Sequence, residues 1–168
     1  MDTFKFGFTE TVTPLDDYNG EESEHIFLGL DLYINEKVIN CFTDIIAFLY
    51  PHKIIRDTYH PYDRKHSTSC KGKLVMTCSD FYPFTCSCGV AGCASIWDGI
   101  YVKERKHTIE WRIPENQGYK FLDKRFYSFD KMEYLSEIER LKQTLKERPD
   151  RFLSDWESVG QLIERLGL

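Results

Sequence analysis

Two alternating runs near the amino terminus constrain the fold more than any other feature of the sequence. Phe4, Phe6 and Phe8 alternate with polar or small residues, which is the period of a half-buried strand. A second run, residues 26–35, alternates in its later half. The turn formers within residues 14–20 break the chain between the runs. The two runs therefore predict an antiparallel hairpin.

A first helix is predicted after this hairpin. Its apolar residues recur at helical spacing and are Phe42, Ile45, Ile46 and Leu49. Asn40 or Thr43 can cap its start. Pro51 ends it, because the residue before a proline is pushed out of helical geometry.

The carboxyl-terminal region predicts two helices. Asp130 with Glu133, and Ser154 with Glu157, have the spacing of a capping box. Two apolar stripes follow these caps, at Tyr134, Ile138, Leu141 and Leu145 and at Trp156, Val159, Ile163 and Leu166. Both stripes are typical of faces that pack on a core. We therefore expect a C-terminal helical pair.

The middle of the chain predicts further strands. The segments concerned are residues 73–78, 95–102 and 108–113, the last two joined by a turn, with one more extended segment around residues 119–126. Residues 52–72 are polar and form a long predicted loop, which is a candidate contact surface. The economical architecture is α+β, an antiparallel β-sheet with packed helices, in a single domain spanning residues 1–168.

Composition and charge narrow the function classes. Hydrophobic residues make up 42% of the chain, which is ample for a packed core, and no run of about eighteen apolar residues would span a membrane. The net charge of −5 argues against nonspecific binding to nucleic acid. The first residues lack the pattern of a signal peptide. We therefore expect a cytoplasmic protein whose six cysteines are reduced thiols or metal ligands.

The cysteines form the most unusual local pattern. Cys86, Cys88 and Cys93 have the spacing C-x-C-x4-C, with Cys78 and Cys70 upstream, and Cys78 could supply a fourth ligand. Structural zinc sites use four thiolates, usually in C-x2-4-C pairs, so zinc is one interpretation. A thiol nucleophile is another, although no histidine lies in a motif that would orient it. The interpretation we favour is a tight turn in which the cysteines are small buried hydrophobes and Gly89 and Gly92 supply unusual backbone angles.

Motifs that would indicate catalysis are missing from the sequence. It contains no phosphate-binding glycine loop, no G-x-G-x-x-G, no H-E-x-x-H and no G-x-S-x-G. Its acids are spread over turns and helix surfaces, so no carboxylate pair can be nominated. We expect no enzymatic activity, no cofactor and no bound metal.

Part of the chain resembles a group of small bacterial proteins. The resemblance is carried by Cys86-Ser87-Cys88-Gly89 and Gly92-Cys93-Ala94, by Trp111 and by the aromatic-Asp helix start at residues 127–130. It covers residues 73–145, and the chain departs from the commoner pattern by lacking a proline before Gly92-Cys93. Proteins of this kind are found among the immunity proteins of bacterial toxin systems such as contact-dependent growth inhibition.

That resemblance implies a cytoplasmic antidote that binds one toxin domain, often a nuclease, and occludes its active cleft. It supplies no catalytic or binding residue. The partner expected is therefore a cognate toxin domain, with no direct nucleic-acid or membrane partner. The alternative is a zinc-stabilised protein-binding module of unrelated role.

An acidic stretch provides the candidate contact residues. It runs from Glu10 to Glu24 without a lysine or arginine. The simplest interpretation is a solvated loop. If the partner is a nuclease, however, acids on a loop can mimic the phosphates that its basic cleft expects. On that charge argument the predicted partner-binding residues are Asp16, Asp17, Glu21, Glu22 and Glu24.

Overall fold

The computed structural model describes residues 1–16, 22–39, 41–49, 81–87, 90–115, 117–154 and 157–168. The strands within these ranges are β1 (Phe4–Asp16), β2 (Glu22–Ile34), β3 (Lys37–Val38), β4 (Phe42–Thr43), β5 (Phe84–Thr85), β6 (Tyr101–Glu104), β7 (Thr108–Arg112), β8 (Phe126–Asp130), β9 (Phe152–Ser154) and β10 (Glu157–Ser158). The α-helices are α1 (Ile45–Leu49), α2 (Lys131–Lys146) and α3 (Val159–Leu166). Short 3-10 helices span Ala91–Ala94 and Gln117–Tyr119. The predicted loop 52–72 and the predicted strand 73–78 lie outside the described residues.

The architecture is α+β with antiparallel sheets, as the sequence predicts. β1 and β2 pair antiparallel from Phe4↔Ile34 to Asp16↔Glu22. In the described part of the chain the largest sheet has the order β1-β2-β9-β10, with β3 also paired to β2. β6, β7 and β8 form a second antiparallel sheet, and β4 pairs with β5.

The hairpin is confirmed, but it is longer than predicted. β1 runs through Pro14, which we expected to break the chain, and β2 begins at Glu22 rather than at residue 26. The Asn35 N–H donates to the Thr3 carbonyl at 3.2 Å, and hydrogen-bonded and non-hydrogen-bonded pairs then alternate along the register. Even-numbered residues of β1 therefore direct their backbone groups to the outer edge. Pro14 is at such a position, so its missing N–H removes no bond to β2.

Part of the outer edge of β1 is covered by side chains of α2. The Phe6 N–H donates to Glu137 Oε2 at 3.0 Å, and Arg140 Nη2 donates to the Phe6 carbonyl. Arg140 also pairs with Glu137 at 2.7 Å. The ion pair thus satisfies one donor and one acceptor that a neighbouring strand would otherwise occupy. Covered edges do not recruit further strands.

The core is built around aromatic rings from five elements. The Phe4 ring has its centroid 4.4–5.8 Å from those of Phe6, Phe48, Trp111, Phe129 and Tyr134. Trp111 is fully buried and also contacts Phe81 at 5.4 Å. Burial raises the pKa of the Tyr134 hydroxyl. β1, α1, β7, β8 and α2 therefore share one packed interior.

A polar network also joins the two larger sheets. The Asp2 N–H donates to the Ser128 carbonyl at 2.8 Å, next to a parallel bridge from Asp2 to Phe129. The Asp2 carboxylate accepts bonds from Asn35, Lys124 and the Ser128 N–H. Burial raises the pKa of Asp2, but these bonds outweigh it and hold that pKa below its usual value. The amino terminus is thereby fixed to β8.

The first helix is shorter than predicted and starts later. Phe42 and Thr43 form strand β4, and Phe42 is 61% exposed, so it is not a core residue. The Ile46 N–H donates to Asp44 Oδ1 at 2.9 Å, which gives Asp44 the capping role that we assigned to Asn40 or Thr43. Pairing of β4 with β5 competes with the helical pattern at these residues. Asn40 and Pro51 lie outside the described residues.

The carboxyl-terminal helices confirm one predicted start and correct the other. Asp130 caps α2 by accepting from the N–H groups of Met132 and Glu133, and the predicted stripe Tyr134, Ile138, Leu141 and Leu145 is buried. The second capping box is formed by Ser158 and Gln161, so the box predicted at Ser154 and Glu157 is wrong. Ser154 and Glu157 instead pair β9 with β10. Trp156 lies outside the described residues.

In the part of the chain described, no helix has the length and apolar character needed to cross a membrane.

The predicted hairpin in the middle of the chain is confirmed, with a shorter first strand. β6 begins at Tyr101 rather than at Ser95, because Ser95 adopts a left-handed conformation with φ of 60° at the end of a 3-10 helix. β7 pairs with β6 as expected. Of the predicted segment 119–126, Tyr119 lies in a 3-10 helix and only Phe126 is in a strand, β8.

We expect Glu137→Gln to make the protein roughly 1 kcal/mol less stable at neutral pH, because it removes the charge from a hydrogen-bonded carboxylate. Burial raises the pKa of Glu137, but the hydrogen bonds from Arg140 and Phe6 lower that pKa by a larger amount, so its net shift is downward. A carboxyl with a lowered folded-state pKa stabilises the fold above its unfolded pKa, about 4.3 for glutamate, and loses that effect as the pH falls. Urea unfolding from pH 7 to pH 3 measures the difference.

The matched control is Glu139→Gln on the exposed face of α2, where Glu139 pairs with Lys142 in solvent. It should change stability little at any pH. A gap between wild type and Glu137→Gln that is the same at pH 7 and pH 3 would contradict the proposed role of the Glu137 charge.

Candidate functional site

The predicted contact residues lie at the far end of the β1–β2 hairpin. The register pairs Asp16 with Glu22, and Glu24 lies two residues further along β2, opposite Pro14. Glu24 is exposed. Asp17 and Glu21 lie outside the described residues, as do the side chains of Asp16 and Glu22. The fold thus brings the backbones of three of the five candidate residues to one end of a paired ribbon, rather than to the solvated loop that the sequence suggests.

The hairpin divides into a buried base and an exposed distal half. In the base, Phe4, Phe6 and the even-numbered residues from Leu28 to Ile34 are buried. In the distal half, residues 9–14 and 23–27 are all exposed or only partly buried. About five residues of each strand lie beyond the level of Phe27, where β9 makes its bridge, and they correspond to roughly 15 Å of ribbon. The acidic end is therefore carried away from the core.

One side of the hairpin is held by two arginines. Arg148 Nη1 lies 2.7 Å from Glu10 Oε1, and Arg151 Nε lies 3.3 Å from the same oxygen. All three groups are partly exposed, so each ion pair contributes of the order of 0.2–1 kcal/mol. Glu10 belongs to the acidic stretch, but its carboxylate is used within the molecule. It is therefore a poorer candidate for partner contact than Glu24.

The other side of the hairpin is held by Phe152. Its ring lies 4.8 Å from His25 and 6.0 Å from Phe27, measured between centroids, and β9 makes its parallel bridge at the same place. Ser23 Oγ and His25 Nε2 share a hydrogen bond of 2.9 Å. We use the name clasp for Arg148, Arg151 and Phe152. The clasp contacts the hairpin at mid-length, on both sides, and so fixes the direction in which the distal half projects.

Sequence reasoning missed the clasp. Arg148 and Arg151 flank Pro149 just after α2, and their positive charge is the signal that could have found them. Their partner Glu10 is 138 and 141 residues away in the sequence, however. No local pattern connects them.

The cysteine segment forms a turn, but not the one predicted. The Cys86 N–H donates to the Val90 carbonyl at 3.4 Å, and residues 91–94 form a 3-10 helix. Cys93 is an exposed free thiol, so the expectation of a buried cysteine is wrong there. Gly92 is not left-handed; Ser95 takes that conformation instead. Cys88 and Gly89 lie outside the described residues.

The oxidation state of Cys86 also differs from the expectation. Cys86 is disulfide-bonded, whereas we expected reduced cysteines. A sulfur in a disulfide is not a thiolate ligand, which weakens the zinc interpretation at this residue. In the described part of the chain no group of three or more His, Cys, Asp or Glu side chains is placed to hold a metal ion. Cys78 lies outside that part.

A large aromatic side chain is exposed next to this turn. Trp97 is 69% exposed, and its ring lies over Gly92, where an added Cβ would be 3.3 Å from Trp97 Cζ3. Val90 is also exposed. The Tyr82 hydroxyl donates to the Trp97 carbonyl at 3.4 Å. This is an exposed apolar surface, which the strand predicted for residues 95–102 did not anticipate.

Open clefts lie beside both strands of the hairpin. The one beside β1 has a volume of about 790 Å³, and Lys5, Tyr33 and Met132 contribute to its lining. The one beside β2 has a volume of about 820 Å³, and both Cys41 and Cys86 contribute to its lining. The two clefts border the base of the hairpin, not its acidic end.

Comparison with known proteins assigns the chain to no family. No family model, no curated protein and no solved structure matches it. The geometry itself distinguishes the hairpin from the rest of the surface. It combines an extended ribbon, a fixed base and an acidic end.

We expect the three described cysteines to differ in alkylation by iodoacetamide. Cys93 should react first, because its thiol is exposed and free. Cys41 should react roughly tenfold more slowly, because burial raises the pKa of its thiol and lowers the thiolate fraction. Cys86 should be modified only after reduction. Peptide mass spectrometry of native protein, with and without reductant, measures the order, and rapid labelling of Cys86 without reductant would contradict the disulfide.

Proposed function

We propose that this chain is a cytoplasmic immunity protein that binds a cognate bacterial toxin domain, a nuclease, and occludes its active cleft. The observation that carries the proposal is the acidic end of a clasped, projecting hairpin. The family resemblance of the segment around Cys86 and Cys93 supports the same function. In this proposal the protein acts by binding and not by turnover.

The charge of the hairpin end suits a nuclease cleft. Nucleases bind a polyanion, and so present lysine and arginine side chains where phosphates lie. Five acids within residues 16–24, with no basic residue among them, offer the complementary charge. Complementary fields increase the rate of encounter and disfavour wrong partners.

The clasp supports the proposal through preorganisation. Ordering a flexible loop on binding costs free energy, which reduces affinity. A ribbon whose base is buried and whose middle is held by Arg148, Arg151 and Phe152 has lost much of that freedom already. The proposal also keeps α2 and α3 as a packed helical pair, with the clasp residues in the segment between the two helices.

Co-expression tests the function directly. The product of the neighbouring gene, which the proposal expects to be the toxin, is produced in cells with or without the chain, and growth is measured. We expect the chain to restore growth and to copurify with the toxin domain in a one-to-one complex. Failure of both protection and copurification would overturn the proposal.

We expect charge reversal of the hairpin end to slow association with that toxin domain. Replacing Asp16, Asp17, Glu21, Glu22 and Glu24 together by lysine should lower the association rate constant roughly tenfold or more at low salt. It should also remove the decline of that rate with increasing ionic strength. Stopped-flow mixing at several salt concentrations measures both effects.

The control for this variant is Glu164→Lys on the exposed face of α3. It changes the net charge but lies away from the hairpin end in sequence. If the variant with all five lysine substitutions and the wild type associate at equal rates with equal salt dependence, the acidic end is not part of the interface.

A further inference from the structure

The distal half of the hairpin carries an apolar pair on one face. Val12 and Ile26 are directly opposite each other in the register, and strand alternation puts them on the same face as the buried Phe4 and Phe6. Val12 is 55% exposed and Ile26 is partly buried. The apolar face of the base thus continues into the part of the ribbon that projects.

The register brings these two side chains close together. Asn35 and Thr3 form a hydrogen-bonded pair, and hydrogen-bonded and non-hydrogen-bonded pairs alternate along the two strands. Pairs of odd-numbered residues are therefore hydrogen-bonded, and the even-numbered pair Val12↔Ile26 is not. Cα atoms in such pairs are about 4.5 Å apart, and their side chains pack against each other. Val12 and Ile26 therefore form one continuous apolar surface.

Charged residues flank this surface along the same face. Glu24, opposite Pro14, is the next position toward the hairpin end, and Asp16 is paired with Glu22 beyond it. On the other side lies Glu10, already bound by the clasp. The exposed Glu24 carboxylate therefore lies on the distal side of the apolar pair.

The edges of the distal half are poorly suited to adding a strand. Pro14 offers no N–H on the outer edge of β1. On the side of β2, the bridge from Phe27 to Phe152 already occupies the edge beside Ile26. A partner is therefore expected to contact the face of the ribbon through side chains.

We propose that the face formed by Val12, Ile26, Pro14 and Glu24 is the docking surface for a protein partner whose groove has an apolar floor and a cationic rim. The inference rests on the proposed function and specifies the contact surface within it. Charge complementarity to the acidic end selects the cationic rim, and the Val12–Ile26 pair selects the apolar floor. Apolar side chains at the centre of an interface carry much of its affinity, while charges at the rim govern encounter.

Val12→Thr and Val12→Arg test the surface. Threonine keeps the branched shape and strand preference of valine while adding a hydroxyl, and arginine adds a charge that repels a cationic rim. The matched controls are Val38→Thr and Val38→Arg, because Val38 is 46% exposed and also lies in a strand. The probe is the purified product of the neighbouring gene, which the proposal expects to be the toxin, and binding kinetics are followed by biolayer interferometry.

We expect Val12→Thr to weaken binding roughly tenfold, mainly through faster dissociation, and Val12→Arg to weaken it roughly a hundredfold or more. The Val38 variants should remain within about twofold of wild type, a difference of roughly 0.4 kcal/mol. Urea unfolding midpoints show whether each variant folds. If Val12→Arg does not fold, Val12→Thr alone decides the outcome. If wild type binds but both Val12 variants bind equally well, the docking face is wrong while the immunity function stands. If wild type neither binds nor protects, the function fails and the docking face fails with it.

Discussion

The packing of Phe4 against rings from four other elements is the interaction on which the rest of the structure depends. Phe4 lies at the start of β1, and its neighbours Trp111, Phe129 and Tyr134 come from β7, β8 and α2. This cluster holds the hairpin sheet, the three-stranded sheet and the long helix together. Because the base of the hairpin is fixed there, the other half of the ribbon does not need a core of its own.

The interactions that stabilise the hairpin therefore differ along its length. Its base is stabilised by burial, its middle by the clasp, and its distal half mainly by pairing between β1 and β2. An isolated two-stranded ribbon is marginally stable in water. Here Phe152 on one side and the arginines that bind Glu10 on the other extend the ordered region beyond the core.

Local sequence patterns predicted the elements whose backbone hydrogen bonds join residues close in sequence, and failed where distant contacts decide. The alternation of Phe4, Phe6 and Phe8 and the cap at Asp130 were sufficient to identify the hairpin and α2. The start of α3 was not decidable in this way, because Ser154 with Glu157 and Ser158 with Gln161 have the same spacing, and the pairing of β9 with β10 selects the second.

The candidate site shows the same division. Its acids were identified from charge alone, and the register then placed Asp16, Glu22 and Glu24 at one end of the ribbon. The clasp could not be predicted, since its contacts join opposite ends of the chain.

Pro14 has a consequence for the behaviour of the protein at high concentration. A long ribbon with a free edge is the kind of template on which copies stack into fibrils. Because proline has no N–H, each copy added along this edge of β1 would leave one backbone hydrogen bond between neighbouring copies unformed. The molecule can thus keep an extended arm in water while its own copies are hindered from assembling along it.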